Sequence, residues 1–196
     1  MSKKKYDKYS SNRAVISLFS GAMGLDIGLE KAGLSVMIGQ DSNVSCVETI
    51  KANGHKVLGG DIKTIDPQTL LNLSGMHVGE PFLICGGPPC QPFSTAGRRR
   101  GINDPRGSLF MDFIRMIDYI QPRFFVMENV KGIMSAPLKH IPIKDRDSDY
   151  QKNRFGTVLD VILTEFKKLG YKTVYGVLDA VNYGVPQFRE RFVLIG

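Results

Sequence analysis

No stretch of this chain is apolar over the roughly 20 residues that a membrane-spanning helix needs. Its opening, MSKKKYDKYSSNR, also lacks the apolar segment of a secretory signal. These absences predict a cytoplasmic protein with no membrane partner. Cysteine is scarce as well: Cys46, Cys85 and Cys90 cannot all pair, and no CxxC or histidine-rich spacing marks a zinc site. Free thiols, a reducing compartment and no metal are the expectation. Two nucleotide signatures are missing too. There is no GxGxxG dinucleotide fingerprint and no GxxxxGKS/T loop to cradle a triphosphate. No internal repeat or low-complexity segment interrupts the chain.

What is present describes an ordinary globular protein. Of 196 residues, 42% are hydrophobic and 23% charged, enough to bury a core within one domain. Lysine and arginine outnumber the acids, and the net charge of +7 favours a polyanionic partner. Residues 1–13 are polar and basic without periodicity and read as a flexible arm. Folded sequence begins at Ala14 and runs to Gly196 as one domain.

Apolar runs alternate with helical patterns. AVISLF predicts a strand, SGAMG a glycine turn, and Leu25, Gly28, Leu29 and Ala32 recur at helical spacing after it. LSVMIG predicts a second strand, VSCVETIKAN a helix that buries Cys46, HKVLGGDI a third strand, and PFLICGG a fourth ending near a buried Cys85. SLFMDFIRMIDYI places Leu109, Phe113, Met116, Ile117 and Ile120 on one helical face, and RFFVMENV is an apolar strand stopping at Glu128. A polar loop from Pro137 to Asn153 precedes a helix with Phe155, Val158, Leu159, Ile162, Phe166 and Leu169 on its buried face. KTVYGVLDA and RFVLIG read as closing strands. This alternation predicts an α/β fold with a mostly parallel sheet and helices on both faces, whose ligands gather at the carboxyl ends of the strands.

Those ends carry distinctive residues. Phe19 to Gly24 forms a tight turn that lets backbone approach a ligand. Asp41 ends the second strand, where a carboxylate accepts from vicinal ribose hydroxyls, and Asp61 follows the third, within reach of an adenine amino group. Together they point to an adenosine-containing cofactor, although each aspartate alone also suits a cap or turn. Cys90 differs from the other thiols because Pro88, Pro89 and Pro92 fix a rigid loop around it. A free thiol, with a pKa of about 8.5, needs nearby positive charge to act as a nucleophile, and Arg189 and Arg191 are the candidates. Glu128, partly desolvated at its strand end, suits a general acid; the alternative is a structural acid paired with an arginine. Arg98, Arg99 and Arg100, flanked by glycines, suit a basic loop closing over a phosphate backbone.

With these residues on the page, the chain resembles the DNA (cytosine-5) methyltransferases that use S-adenosylmethionine. LFSGAMGLD resembles the family's cofactor loop, GGPPCQPFS its catalytic loop, ENV its proton-handling motif and QFRER its paired arginines. The resemblance covers residues 14–196 and implies a Rossmann-like S-adenosylmethionine-dependent methyltransferase fold. It implies catalysis by Cys90, Glu128, Arg189 and Arg191, with the thiolate adding to a cytosine flipped out of the duplex. It implies a cofactor site of Phe19, Gly21, Gly24, Leu25, Asp41, Asp61, Ile62, Pro89 and Leu109, and S-adenosylhomocysteine as product. Gln91 and Ser94 join Arg98, Arg99 and Arg100 as implied DNA contacts.

Departures are visible. Met23 stands where the family commonly has glycine, and Asp41 where it commonly has glutamate. Nothing in the chain resembles the family's target-recognition region or its final motifs. The expectation is therefore the catalytic part of a bacterial or phage restriction-modification type methyltransferase, either a truncated piece or a subunit partnered by a second polypeptide. Two alternatives stay open: the same chemistry on transfer RNA, which a branch of this family performs, and a catalytically silent module that binds cofactor or DNA.

Overall fold

A computed structural model describes residues 13–89, 109–136 and 157–196. The basic arm, Cys90, the arginine run, the polar loop from Pro137 to Asn153 and Phe155 lie outside the described residues. The chain divides into two compact units, Met1–Gly86 with Met116–Phe125 and Gly87–Arg115 with Val126–Gly196.

The first unit is built on parallel strands. β1 (Ala14–Leu18) is buried at every position, as a strand covered on both faces must be. It pairs in parallel with β2 (Ser35–Asp41) and β4 (Leu83–Gly86), and β3 (Val57–Gly59) pairs in parallel with β2, giving the order β3-β2-β1-β4. Parallel neighbours require crossovers. These contain α1 (Gly24–Lys31), α2 (Val44–Ala52) and α3 (Pro67–Ser74). Asn43 caps α2, its Oδ1 accepting from Ser45 N at 2.9 Å. β3 is short, as its sequence predicts, and ends before Gly60, which turns to φ 142°, a conformation that only glycine holds readily.

Apolar spacing does not predict α3; Asp66 caps it, Pro67 opens it, and Gly75 ends it with φ 74°. α1 does not present Leu25, Gly28 and Ala32 to the core. All three are exposed and Leu29 is half-buried, whereas Met23 and Asp26, one helical turn apart, point inward. Cys46 is half-exposed on α2, while Cys85 on β4 is buried as expected.

The second unit is antiparallel. β5 (Phe124–Val130) starts in the first unit and continues here, running past Glu128 to Val130. β7 (Glu190–Ile195) pairs antiparallel with both β5 and β6 (Val174–Asp179), giving the order β5-β7-β6. α4 (Leu109–Ile120), whose residues from Met116 onward belong to the first unit, buries Phe113, Met116, Ile117 and Ile120 and half-buries Leu109. α5 (Thr157–Lys168) buries Val158, Leu159, Ile162 and Phe166, with Leu169 half-buried beyond its end. Single 3₁₀ turns at Lys131–Ser135 and Ala180–Tyr183 follow β5 and β6. Among the described residues no helix is long and apolar enough to cross a membrane.

Candidate active site

In the first unit the ends of β1, β2 and β3 are tied together by polar groups. Gly21 N donates to Asp41 Oδ2 at 2.8 Å, and Asn43 N donates to Oδ1 at 2.8 Å. Gly60 N donates to Asp41 O at 3.0 Å, and Gln40 Nε2 donates to Gly60 O at 2.8 Å. Gln40 is a further residue of this end that apolar patterning does not predict; its signal in the sequence is a glutamine beside an acid at the end of an apolar strand. The turn after β1 takes left-handed backbone at Phe19 (φ 54°), Gly21 (φ 55°) and Met23 (φ 65°). Such values disfavour any side chain, which explains why glycine commonly occupies the place of Met23 in the family that the motifs resemble.

These residues fit an adenosine-containing cofactor that also bears an amino-acid end. Each Asp41 oxygen accepts one backbone amide and keeps a second lone pair for a hydroxyl. Asp61 is exposed just beyond β3, its Oδ1 accepting from Lys63 N at 3.0 Å, and Ile62 behind it is buried. α1 begins without a side-chain cap at Met23, so its first amides remain available to a ligand carboxylate. A side chain at Gly21 or Gly24 would meet nothing within 4 Å, so both glycines face open space. Leu25 is exposed beside them. Pro89, exposed, and Leu109, half-buried, fall in the second unit.

In the second unit β5 and β7 set the acid and the arginine. Val130 lies opposite Arg191 and Glu128 opposite Val193, so Glu128 and Arg191 share one face of the antiparallel pair. Arg191 Nε lies 2.7 Å from Glu128 Oε1, and the two side chains are 26% and 34% exposed. Glu128 is thus half-buried at its strand end and paired with an arginine. Arg189 is exposed, its backbone N–H donating to Asp179 Oδ1 at 2.8 Å, and Lys131 binds Glu190 at 2.8 Å. Asn129 points to the opposite face, where Nδ2 donates to Pro88 O at 2.9 Å and anchors the segment that leads to Cys90. A Cβ on Gly87 would stand 2.9 Å from Glu128 Oε2, so glycine permits the carboxylate's position. Asn129 stands with Glu128 at a strand end that the sequence marks, whereas Gly87 is visible there only as part of the GGPP run. Cys90, Gln91, Ser94, Arg98, Arg99 and Arg100 lie outside the described residues.

Comparison with known proteins gives this arrangement a family. Type II methyltransferase M.AquIA of Picosynechococcus sp. is 39% identical over 94% of this chain and 71% of its own length. Type II methyltransferase M.FnuDI of Fusobacterium nucleatum is 40% identical over 93% of the chain, which spans only 46% of that relative. The solved structure of a putative DNA modification methyltransferase encoded within an E. coli prophage superposes with a TM-score of 0.69 at 26% identity, over 94% of this chain and 46% of the other. The DNMT2 of Spodoptera frugiperda has a TM-score of 0.65 over 93% of this chain and 49% of its own, at 23% identity, a likeness of fold. A profile described as C-5 cytosine-specific DNA methylase matches residues 13–196, and the chain belongs to that family.

Proposed function

We propose that the chain transfers a methyl group to carbon 5 of cytosine in double-stranded DNA, as part of a bacterial or phage restriction-modification system acting in the cytoplasm. The observation that carries this reading is the Glu128–Arg191 pair at 2.7 Å, on the strand whose Asn129 anchors the approach to Cys90. Carbon 5 of cytosine is a poor nucleophile, so the Cys90 thiolate first adds to carbon 6 of a flipped base. Glu128 holds and protonates the ring nitrogen that gathers charge, and Arg191, with Arg189, steadies the adduct. Bound S-adenosylmethionine supplies the electrophilic methyl group that the activated carbon 5 attacks. Loss of the carbon 5 proton then re-forms the double bond and expels the Cys90 thiolate. Asp41, Asp61, Ile62 and the Phe19–Leu25 turn hold the cofactor. Gln91, Ser94 and the Arg98–Arg100 run contact DNA.

The test is methyl transfer from labelled S-adenosylmethionine to duplex DNA and, in parallel, to transfer RNA. Each substrate is assayed with and without a polypeptide carrying a target-recognition region. The reading predicts DNA labelling, raised by the added region, and a loss of about 10²-fold or more in Glu128→Gln. Labelling of transfer RNA in preference to DNA would replace the substrate, and no labelling of either with the region supplied would favour a silent binding module.

A further inference from the structure

Gln40 is 1% exposed, yet each of its four polar groups has a partner, and all four partners lie on the segments that follow β1 and β3. It stands on β2 opposite Leu18 of β1 and Leu58 of β3. Its backbone N–H donates to Ser20 Oγ at 3.3 Å, and its backbone carbonyl accepts from Ser20 N at 3.0 Å. The side chain divides between the two neighbouring segments. Oε1 accepts from Phe19 N at a long 3.5 Å, and Nε2 donates to Gly60 O at 2.8 Å. These partners assign the two ends of the amide, because an N–H calls for an acceptor and a carbonyl for a donor.

Both segments hold backbone that needs support. Phe19 is left-handed at φ 54°, and Gly60 sits at φ 142°. β2 grips Gly60 twice, since its N–H donates to Asp41 O and its carbonyl accepts from Gln40, and the next residue is Asp61. On the other side, the turn that begins at Phe19 returns to Asp41 through Gly21 N. Gln40 is too buried to touch a ligand, so any effect on one passes through these segments. Only a side chain that accepts on one side and donates on the other completes the bridge. Glutamic acid of the same shape does so while protonated and loses the donor on ionising; methionine, of similar length, does neither.

We infer that the Gln40 amide is a positioning residue that sets the Phe19–Gly24 turn and the Gly60–Ile62 segment on either side of Asp41, and thereby sets cofactor affinity. This rests on the reading that these segments hold S-adenosylmethionine.

Two measurements on the full chain test it, in the unsubstituted protein, Gln40→Met and Gln40→Glu. Amide hydrogen exchange needs no ligand. Gln40→Met should speed exchange at Phe19, Gly21 and Gly60 at least about tenfold more than at Ile84 on β4, two strands away. S-adenosylhomocysteine affinity, by calorimetry, should be about tenfold weaker in Gln40→Met at every pH. In Gln40→Glu it should match the unsubstituted protein near about pH 5, where burial keeps the new acid protonated, and fall about tenfold or more below it by about pH 8. Asp41 and Asp61 are common to all three proteins and cancel in the comparison. Gln40→Glu at low pH keeps both shape and bonding, so the test survives if Gln40→Met does not fold. Exchange that rises equally at Ile84 and at the turn, or not at all, would overturn the positioning role. Locally faster exchange with unchanged affinity, or a Gln40→Glu affinity that tracks the unsubstituted protein at every pH, would overturn the link to binding. Locally faster exchange with no binding by the unsubstituted protein would instead overturn the cofactor reading of these segments.

Discussion

Met23 sits in left-handed backbone with its side chain 1% exposed, so strain and burial oppose each other at one residue. The left-handed conformation costs about 1–2 kcal/mol, whereas a buried methionine stabilises by about 1.5–3 kcal/mol and glycine adds chain entropy of roughly 0.5–1 kcal/mol. Burial wins by this reckoning. Met23→Gly should lower stability by about 1 kcal/mol in urea unfolding, and Met23→Ala, which keeps the strain and loses the packing, by about 2–4 kcal/mol. A Met23→Gly protein more stable than its parent would show that strain dominates. Gly87 offers a separate test. The atom that a Gly87→Ala methyl would meet is the movable end of Glu128, so the fold should survive with a change under about 1 kcal/mol. Turnover should fall at least about tenfold as the carboxylate is displaced. Asp26 gives a pH signature of its own. Its folded pKa is raised above the unfolded 3.8, so the folded form binds the extra proton and stability falls as pH climbs above 3.8. Asp26→Asn should therefore gain in melting temperature over its parent as pH rises, with the gap levelling once Asp26 ionises in the folded protein.

At the scale of elements, strands with long apolar runs were legible and short or capped elements were less so. β1 is legible because a strand covered on both faces is apolar throughout, whereas β5 buries only alternate residues and runs two positions past Glu128. α3 was overlooked although Asp66-Pro67 and Gly75 bracket it, because only Leu70, Leu71 and Ser74 with Pro67 make its buried stripe. Removing the cap is a direct check: Asp66 Oδ1 accepts from Gln68 N at 3.0 Å, and Asp66→Ala should cost about 1 kcal/mol. α1 misled because apolar spacing was read from Leu25, whereas the inward face is set by the left-handed Met23 that precedes the helix. Backbone handedness of that kind leaves no mark in hydrophobic periodicity. Candidate residues Glu128 and Arg191 were legible as types. Their partnership required the β5–β7 register, which depends on a pairing between segments far apart in sequence.

For the molecule as a whole, the family was legible in its motifs, while the relatives' greater length lies outside any reading of this chain. The net charge of +7 supplies one test at this scale. DNA affinity should fall linearly with log salt, and replacing Arg98, Arg99 and Arg100 by alanine should flatten that slope by about 0.9 for each phosphate no longer neutralised. Binding that ignores salt would remove the phosphate role of that run. The central claim is that Cys90 attacks the cytosine ring. It is tested by incubating the chain, S-adenosylmethionine and a recognition-region partner with a duplex containing 5-fluorocytosine, whose fluorine cannot leave as a proton does. A denaturant-resistant protein–DNA complex that disappears in Cys90→Ser is the predicted result. A complex that persists in Cys90→Ser, or ordinary methylation with no trapped complex, would contradict it.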